Sequence, residues 1–154
     1  MTKKLRVLVV PANEGGCAYY RAIMPFEKLQ DICHDDVEVK FDKNPLGVNE
    51  ENGRWEKNWK FANIKWCDVV VVSNISNFGG QYTARIIGKA KEFGKFVHFD
   101  TDDLLTDLYD DHRLKEVYEE KGLSKITMHM YHSSDLVTVT QSKFAERIKP
   151  YVNG

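Results

Sequence analysis

The chain has 154 residues, 42% of them hydrophobic, enough for one domain with a real core and too apolar for a disordered segment. Its 22 basic and 23 acidic side chains leave a formal net charge of −1, so no global basic field draws it to nucleic acid. The three cysteines, Cys17, Cys33 and Cys67, are scattered and form no CxxC pair; their odd number argues against a disulfide framework, and a reducing, cytoplasmic compartment fits best.

Lys3 and Lys4 precede an apolar run over residues 5–10, an opening that mimics a short signal peptide. Arg6 interrupts the run and Pro11 stops it, so a first β-strand is the better reading. No segment approaches the length of a membrane span. A turn-rich loop, Pro11-Ala12-Asn13-Glu14-Gly15-Gly16, follows the strand. Residues 17–32 then place Tyr20, Ile23, Met24, Phe26 and Leu29 near helical spacing, with a kink or restart expected at Pro25. Residues 37–41 alternate as a half-buried strand does.

Residues 42–57 are polar, carry Pro45, Gly47 and Gly53, and read as a long, mobile loop. Trp55, Trp59, Phe61 and Trp66 cluster around a short helix or turn, as core and lid packing. The β-branched run Val69-Val70-Val71-Val72 is typical of a strand buried on both faces. A loop over residues 73–80 leads into a helix over 81–93, closed by Gly94. A fourth strand spans 96–99 and runs into an acidic group. Helices are expected over about 112–121, stopped by Gly122, and over 123–133. A fifth strand covers 136–140, and Ser142 caps a last helix reaching about Tyr151.

Five strands separated by helices imply an α/β, Rossmann-like, doubly wound and mostly parallel sheet of about five or six strands. Helices cover both faces, and the first strand is central. Residues 69–72 and 137–139 are expected to be almost fully buried. The chain stops after a helix, where a sixth strand would be expected.

The acidic group is the most informative feature. Asp100, Asp102 and Asp103 sit just past a strand, where side chains face the ligand crevice of a parallel sheet. Three carboxylates there repel one another unless partners offset them. Gly15 and Gly16 stand between a strand and a helix, the position of a phosphate-binding turn, without a GxGxxG or Walker pattern. Arg21, in the first helical turn, opposes the helix dipole and makes sense beside an anion, either a phosphate or the carboxylates of the fourth strand. Converging strand ends would bring Gly15, Gly16, Ser73, Asn74, Asp100, Asp102 and Thr140 around one cleft. His129 and His132 are spaced i, i+3 with no third metal ligand placed by sequence, and His98 reads as an interior residue of its strand.

Three segments in order resemble the N-terminal domain of GT-B-fold glycosyltransferases of the bacterial and phage type. Gly16-Cys17-Ala18-Tyr19-Tyr20-Arg21-Ala22-Ile23-Met24-Pro25-Phe26 resembles the Gly-x-x-Tyr-Tyr-Arg…Pro opening of that family's first helix. Phe99-Asp100-Thr101-Asp102-Asp103-Leu104-Leu105 resembles its D-x-D-D-L strand end. Residues 134–145, with Asp135, Val137, Thr138, Val139 and Thr140, resemble its A-D-x-V-T-V-T-T-x-x-L-A signature. The departures are Gln141 where Thr is common and Cys17-Ala18 where Gly or Val is common.

The resemblance implies that residues 1–154 form the acceptor-side half of a two-domain enzyme. The donor-binding half lies outside the chain, so the chain alone is expected to transfer little sugar. Nucleotide sugar and acceptor are the implied substrates, with no cofactor and no metal, and Asp100-Thr101-Asp102 is not read as a metal-holding DxD pair. Asp100, Asp102 and Asp103 are the candidate catalytic residues. Gly15, Gly16, Tyr20, Arg21, Ser73, Asn74, Thr140 and Gln141 are the candidate substrate-binding residues, with Gly15, Gly16 and Arg21 set to meet the diphosphate. A second domain or a homodimer is the expected partner, covering an apolar patch. A non-catalytic Rossmann-like module that binds a nucleotide or a protein is the alternative. A receiver-like signalling domain fits poorly, because its acidic pair and phosphorylated Asp have no counterparts at the ends of the first and third strands.

Overall fold

Five short β-rich runs pair into one sheet because each is followed by a helix that returns the chain to the same edge direction. The structure, a computed structural model, describes residues 3–49, 61–106, 108, 110–112 and 115–153. Strand β1 (Leu5–Pro11) leads into a continuous helical stretch made of α1 (Gly16–Ala18), a π turn (Tyr19–Ile23) and α2 (Met24–Ile32). Then follow β2 (Val37–Phe41), α3 (Ala62–Trp66), β3 (Val69–Ser73), α4 (Gly80–Glu92) and β4 (Phe96–Thr101). Helices α5 (Lys115–Glu120) and α6 (Leu123–Ser133), strand β5 (Leu136–Val139), α7 (Ser142–Ile148) and a 3-10 turn (Lys149–Tyr151) complete the order. Trp55 and Trp59 lie outside the described residues, as do residues 113 and 114 of the expected 112–121 helix.

All strands are parallel, in the order β2-β1-β3-β4-β5. The arrangement is the expected Rossmann-like α/β sheet, with one correction. The middle strand is β3, not β1, because only β2 adds outside β1 while β4 and β5 add on the other side. The chain therefore reverses its winding direction between β1 and β3, which opens a crevice at their carboxyl ends.

The two faces are packed unequally. On one, Leu8, Val10, Val70, Val72, Val97 and Phe99 meet α3, α4, α6 and α7 through Ile64, Ile86, Ile87, Met130, Tyr131, Phe144 and Ile148. Each such side chain contributes about 1.5–3 kcal/mol by leaving water. The other face carries a smaller cluster, Val7, Val9, Val39 and Val71, covered by Ala22 and Phe26 of the first helical stretch. Of α4's glycines, Gly80 has a packing reason: a Cβ there would meet Leu123 Cδ2 at 2.8 Å.

Of residues 69–72, expected to be almost fully buried, 70–72 are and Val69 is half-buried; β5 is not buried. Leu136 is exposed and residues 137–139 are half-buried. β5 is an edge strand, and α7 sends Phe144 and Ile148 to the thick face, so no helix covers its other side. Phe96 is exposed beside it.

The restart expected at Pro25 is found: α2 begins at Met24 with Pro25 in its first turn, after a π turn in which the Met24 N–H reaches back to the Tyr19 carbonyl. Three local readings change. The loop after β2 is not loose throughout, because Leu46 and Val48 are buried in the main core. Asn44 folds it by donating to the Val48 carbonyl (2.7 Å) and accepting from the Val48 N–H (2.9 Å) and the Tyr82 hydroxyl (2.8 Å). The last helix is capped by Gln141, whose carbonyl accepts from the Phe144 and Ala145 amides, while Ser142 is already helical. Strand β4 runs two residues further than expected, so Asp100 and Thr101 belong to the sheet. Gly94, with φ of +66°, closes α4 as the sequence suggests.

Candidate functional site

The acidic segment alternates in and out of a strand end, so its three carboxylates take three directions. Asp100 pairs in register with Ser73 and Thr138 and points to the thinly covered face. There it meets Arg21, which the π turn carries onto the sheet. Arg21 donates from Nε to Asp100 Oδ2 at 2.9 Å and from Nη2 to Asp100 Oδ1 at 2.6 Å, with a longer contact of 3.3 Å to the Thr101 carbonyl. The Thr138 hydroxyl donates to Asp100 Oδ1 at 2.6 Å. That leaves the Thr138 oxygen to accept from His98 Nε2 at 2.8 Å, which fixes the proton of a neutral His98 on Nε2. Asp100 raises the Arg21 pKa further, and burial lowers that of His98 against a weaker opposing pull from Asp100. Asp100 is 8% exposed, and both its oxygens are committed.

Asp102 turns the other way, toward the crevice. Its Oδ1 accepts from the Asn74 side-chain amide. Asn74 adopts a left-handed conformation (φ 60°) and is fully engaged: its backbone N–H donates to the Asp100 carbonyl at 2.6 Å, and its Oδ1 accepts from the Ile75 N–H at 3.0 Å. Asn74, expected as a ligand contact, thus serves as a clip that aims Asp102. Asp102 Oδ2 makes no hydrogen bond among the described residues.

Asp103 is exposed and faces Tyr118 and His112 rather than the crevice. Partial burial and the nearby Asp102 raise its pKa, while burial raises that of Tyr118.

Two adjoining cavities mark the β1/β3 crevice. The larger, about 490 Å³, is lined by Ala12, Asn13, Glu14, Lys43, Ser76, Asn77 and Phe78. Lys43 and Glu14 form an ion pair of 3.6 Å along its wall. The smaller, about 30 Å³, is lined by Ala12, Asn13, Cys17, Ala18, Arg21, Ser73, Asn74 and Asp102. Ala12 and Asn13 border both.

The structure brings Arg21, Ser73, Asn74 and Asp102 of the expected set to the small cavity, with Asp100 behind Arg21. Gly15 lies beside it and has a steric role: its N–H donates to Asn13 Oδ1 at 2.7 Å, and a Cβ there would meet that same oxygen at 2.9 Å. Gly16 starts α1 and lines neither cavity. Tyr20 is exposed and stacks edge-on with Tyr19, ring centroids 5.4 Å apart. Thr140 and Gln141 are exposed past β5, two strands away from β3, and line neither cavity. His129 and His132 are exposed on α6.

Sequence reasoning missed Ala12, Asn13, Glu14, Cys17 and Ala18 after β1, Lys43 after β2, and Ser76, Asn77 and Phe78 after β3. Their signal was positional, since they follow strands at the same end of the sheet as Asp102. Among the described residues no helix is long and apolar enough to cross a membrane. Cys17, Cys33 and Cys67 are free thiols, and burial pushes the Cys67 thiol up to about 11.

No family model and no curated protein matches the chain. A solved structure described as the crystal structure of a conserved protein from Enterococcus faecalis V583 is similar, with a TM-score of 0.50 and 14% identity over 97% of this chain and 100% of that one. At that identity the likeness shows the fold alone, an α/β Rossmann-like arrangement.

Proposed function

We propose that this domain is the acceptor-side half of a glycosyltransferase, with a nucleotide sugar as donor and Asp102 as the base. The observation that carries the reading is the Asp102 carboxylate, held by Asn74 with one oxygen uncommitted, at the mouth of a crevice between β1 and β3. A general base must be held still and must keep an oxygen for the proton it takes. Of the three candidate acids, Asp100 has no oxygen to spare and Asp103 faces away.

In this reading the acceptor oxygen bonds to the anomeric carbon of the donor sugar. The bond from that carbon to the diphosphate breaks, and the nucleoside diphosphate leaves with the electron pair. The hydroxyl proton passes to Asp102 Oδ2. Arg21 keeps only Nη1 uncommitted, so its main work is to anchor the helix over β4 rather than to neutralise the diphosphate. The donor-side contacts belong to a second domain or to a second copy of the chain.

The test is a transfer assay with nucleotide sugars on this chain alone and on the chain joined to whatever coding sequence follows it. Turnover is expected only in the longer protein, and Asp102→Asn there should lower kcat by about 10²–10⁴-fold, the usual contribution of a general base. Full turnover after Asp102→Asn would remove that residue from the chemistry. Binding without transfer in the longer protein would favour a non-catalytic module.

A further inference from the structure

Ser73 is 2% exposed, yet its hydroxyl makes no hydrogen bond among the described residues. The hydroxyl keeps its access to the cavity it lines, so a bound group, or water in its place, can pair with it. It lines the 30 Å³ cavity together with Arg21, Asp102 and Asn13. Arg21 Nη1, Asp102 Oδ2 and Asn13 Nδ2 likewise make no hydrogen bond among the described residues, while the other polar atoms of these side chains are committed. The cavity thus offers several donors, one strong acceptor and room for a hydroxyl group but not for a ring.

The adjoining 490 Å³ cleft shares Ala12 and Asn13 with it and is of the size that holds a small molecule. Its wall combines one aromatic ring, Phe78, with amide, hydroxyl and charged groups. With Arg21 neutralised by Asp100 behind it, the described lining leaves Lys43 against Glu14 and Asp102, a formal charge of −1. An anion therefore finds no surplus of positive charge there, and the donors and acceptor left open suit hydroxyl groups.

We infer that the paired cavities bind a neutral polyhydroxylated molecule, a sugar or polyol, with its body in the larger cleft and one hydroxyl in the niche formed by Ser73, Arg21 and Asp102. The niche hydroxyl donates to Asp102 Oδ2 and accepts from Arg21 Nη1 or Ser73 Oγ. The inference rests on the proposed transfer reading only in identifying that molecule as the acceptor; the binding site stands without it.

The test is titration of the chain, followed by amide chemical shifts, with glucose, galactose, mannose, N-acetylglucosamine and myo-inositol, and separately with inorganic phosphate. At least one neutral compound should give saturable shifts at residues 12–14 and 73–78, and phosphate should give none there. Ser73→Ala should weaken that binding roughly fivefold or more. The same variant should leave the thermal midpoint essentially unchanged, since it deletes a hydroxyl that makes no hydrogen bond among the described residues. Phosphate binding at the niche, no saturable shift from any neutral compound, or unchanged affinity in Ser73→Ala would each overturn the inference. Sugar binding at these residues with no transfer in the longer protein would leave the site standing and sink the glycosyltransferase reading.

Discussion

The strand ends of β4 and β5 and those of β1 and β3 carry similar polar side chains and use them in opposite ways. At β4 and β5, Arg21, Asp100, Thr138 and His98 satisfy one another in a closed chain of hydrogen bonds. At β1 and β3, Ser73, Asp102, Asn13 and Arg21 Nη1 each leave a donor or acceptor open to a cavity. The first arrangement stabilises the fold, and the second leaves its polar atoms to whatever fills the cavity. Charge and burial alone would not separate them, since Asp100 and Ser73 are both buried. What separates them is whether each polar atom has a partner in the chain.

The comparison can be broken most easily at Asp100. Asp100→Asn leaves the Arg21 guanidinium without its counter-charge in a partly buried place, and should cost about 3 kcal/mol in urea unfolding. A loss below about 1 kcal/mol would mean that the closed chain contributes little. Against Phe78 of the large cleft, Tyr82→Phe removes a hydroxyl that bonds Asn44 and should cost about 1 kcal/mol by the same measurement. Since Asn44 shapes the segment carrying Leu46 and Val48, amide exchange should also speed up there.

A smaller effect is expected from His98. Burial holds its pKa below the ordinary 6.5, so the unfolded chain binds the proton more readily than the folded one. Its contribution is fully present above pH 6.5 and falls away as pH drops through the unfolded and then the folded value. Stability between pH 7 and 5 should therefore decline less in His98→Gln than in the parent. An equal decline in both would place the acid sensitivity elsewhere.

Much of the fold was legible in the chain because β-branched runs and glycine stops carry local signals. The run at 69–72, the Gly94 stop and the bounds of α6 all follow from them. The misses came from tertiary partners. Asp100 reads as loop because aspartate is poor in strands, but Arg21 and Thr138, 79 and 38 residues away, hold it in the sheet. Leu46 and Val48 sit in a polar stretch without periodicity, and only Asn44 and Tyr82 reveal that it folds inward. Residues 137–139 read as almost fully buried because their composition does not tell an edge strand from an inner one. For the site, the residue types at the strand ends were readable, and which of them are spent on one another was not. Asn74 and Asp100 turned out to be spent, and Lys43 and Phe78 joined the cleft from loops with no motif of their own.

The most direct test sets the two carboxylates side by side, as parallel urea unfolding of Asp100→Asn and Asp102→Asn in this chain. Asp102→Asn keeps an oxygen for the Asn74 amide and loses only an uncommitted one, so its cost should stay below about 0.5 kcal/mol. Asp100→Asn should cost about 3 kcal/mol. Equal losses, or a larger loss at Asp102, would contradict the account, because Asp102 would then be holding the fold together and not waiting for a ligand.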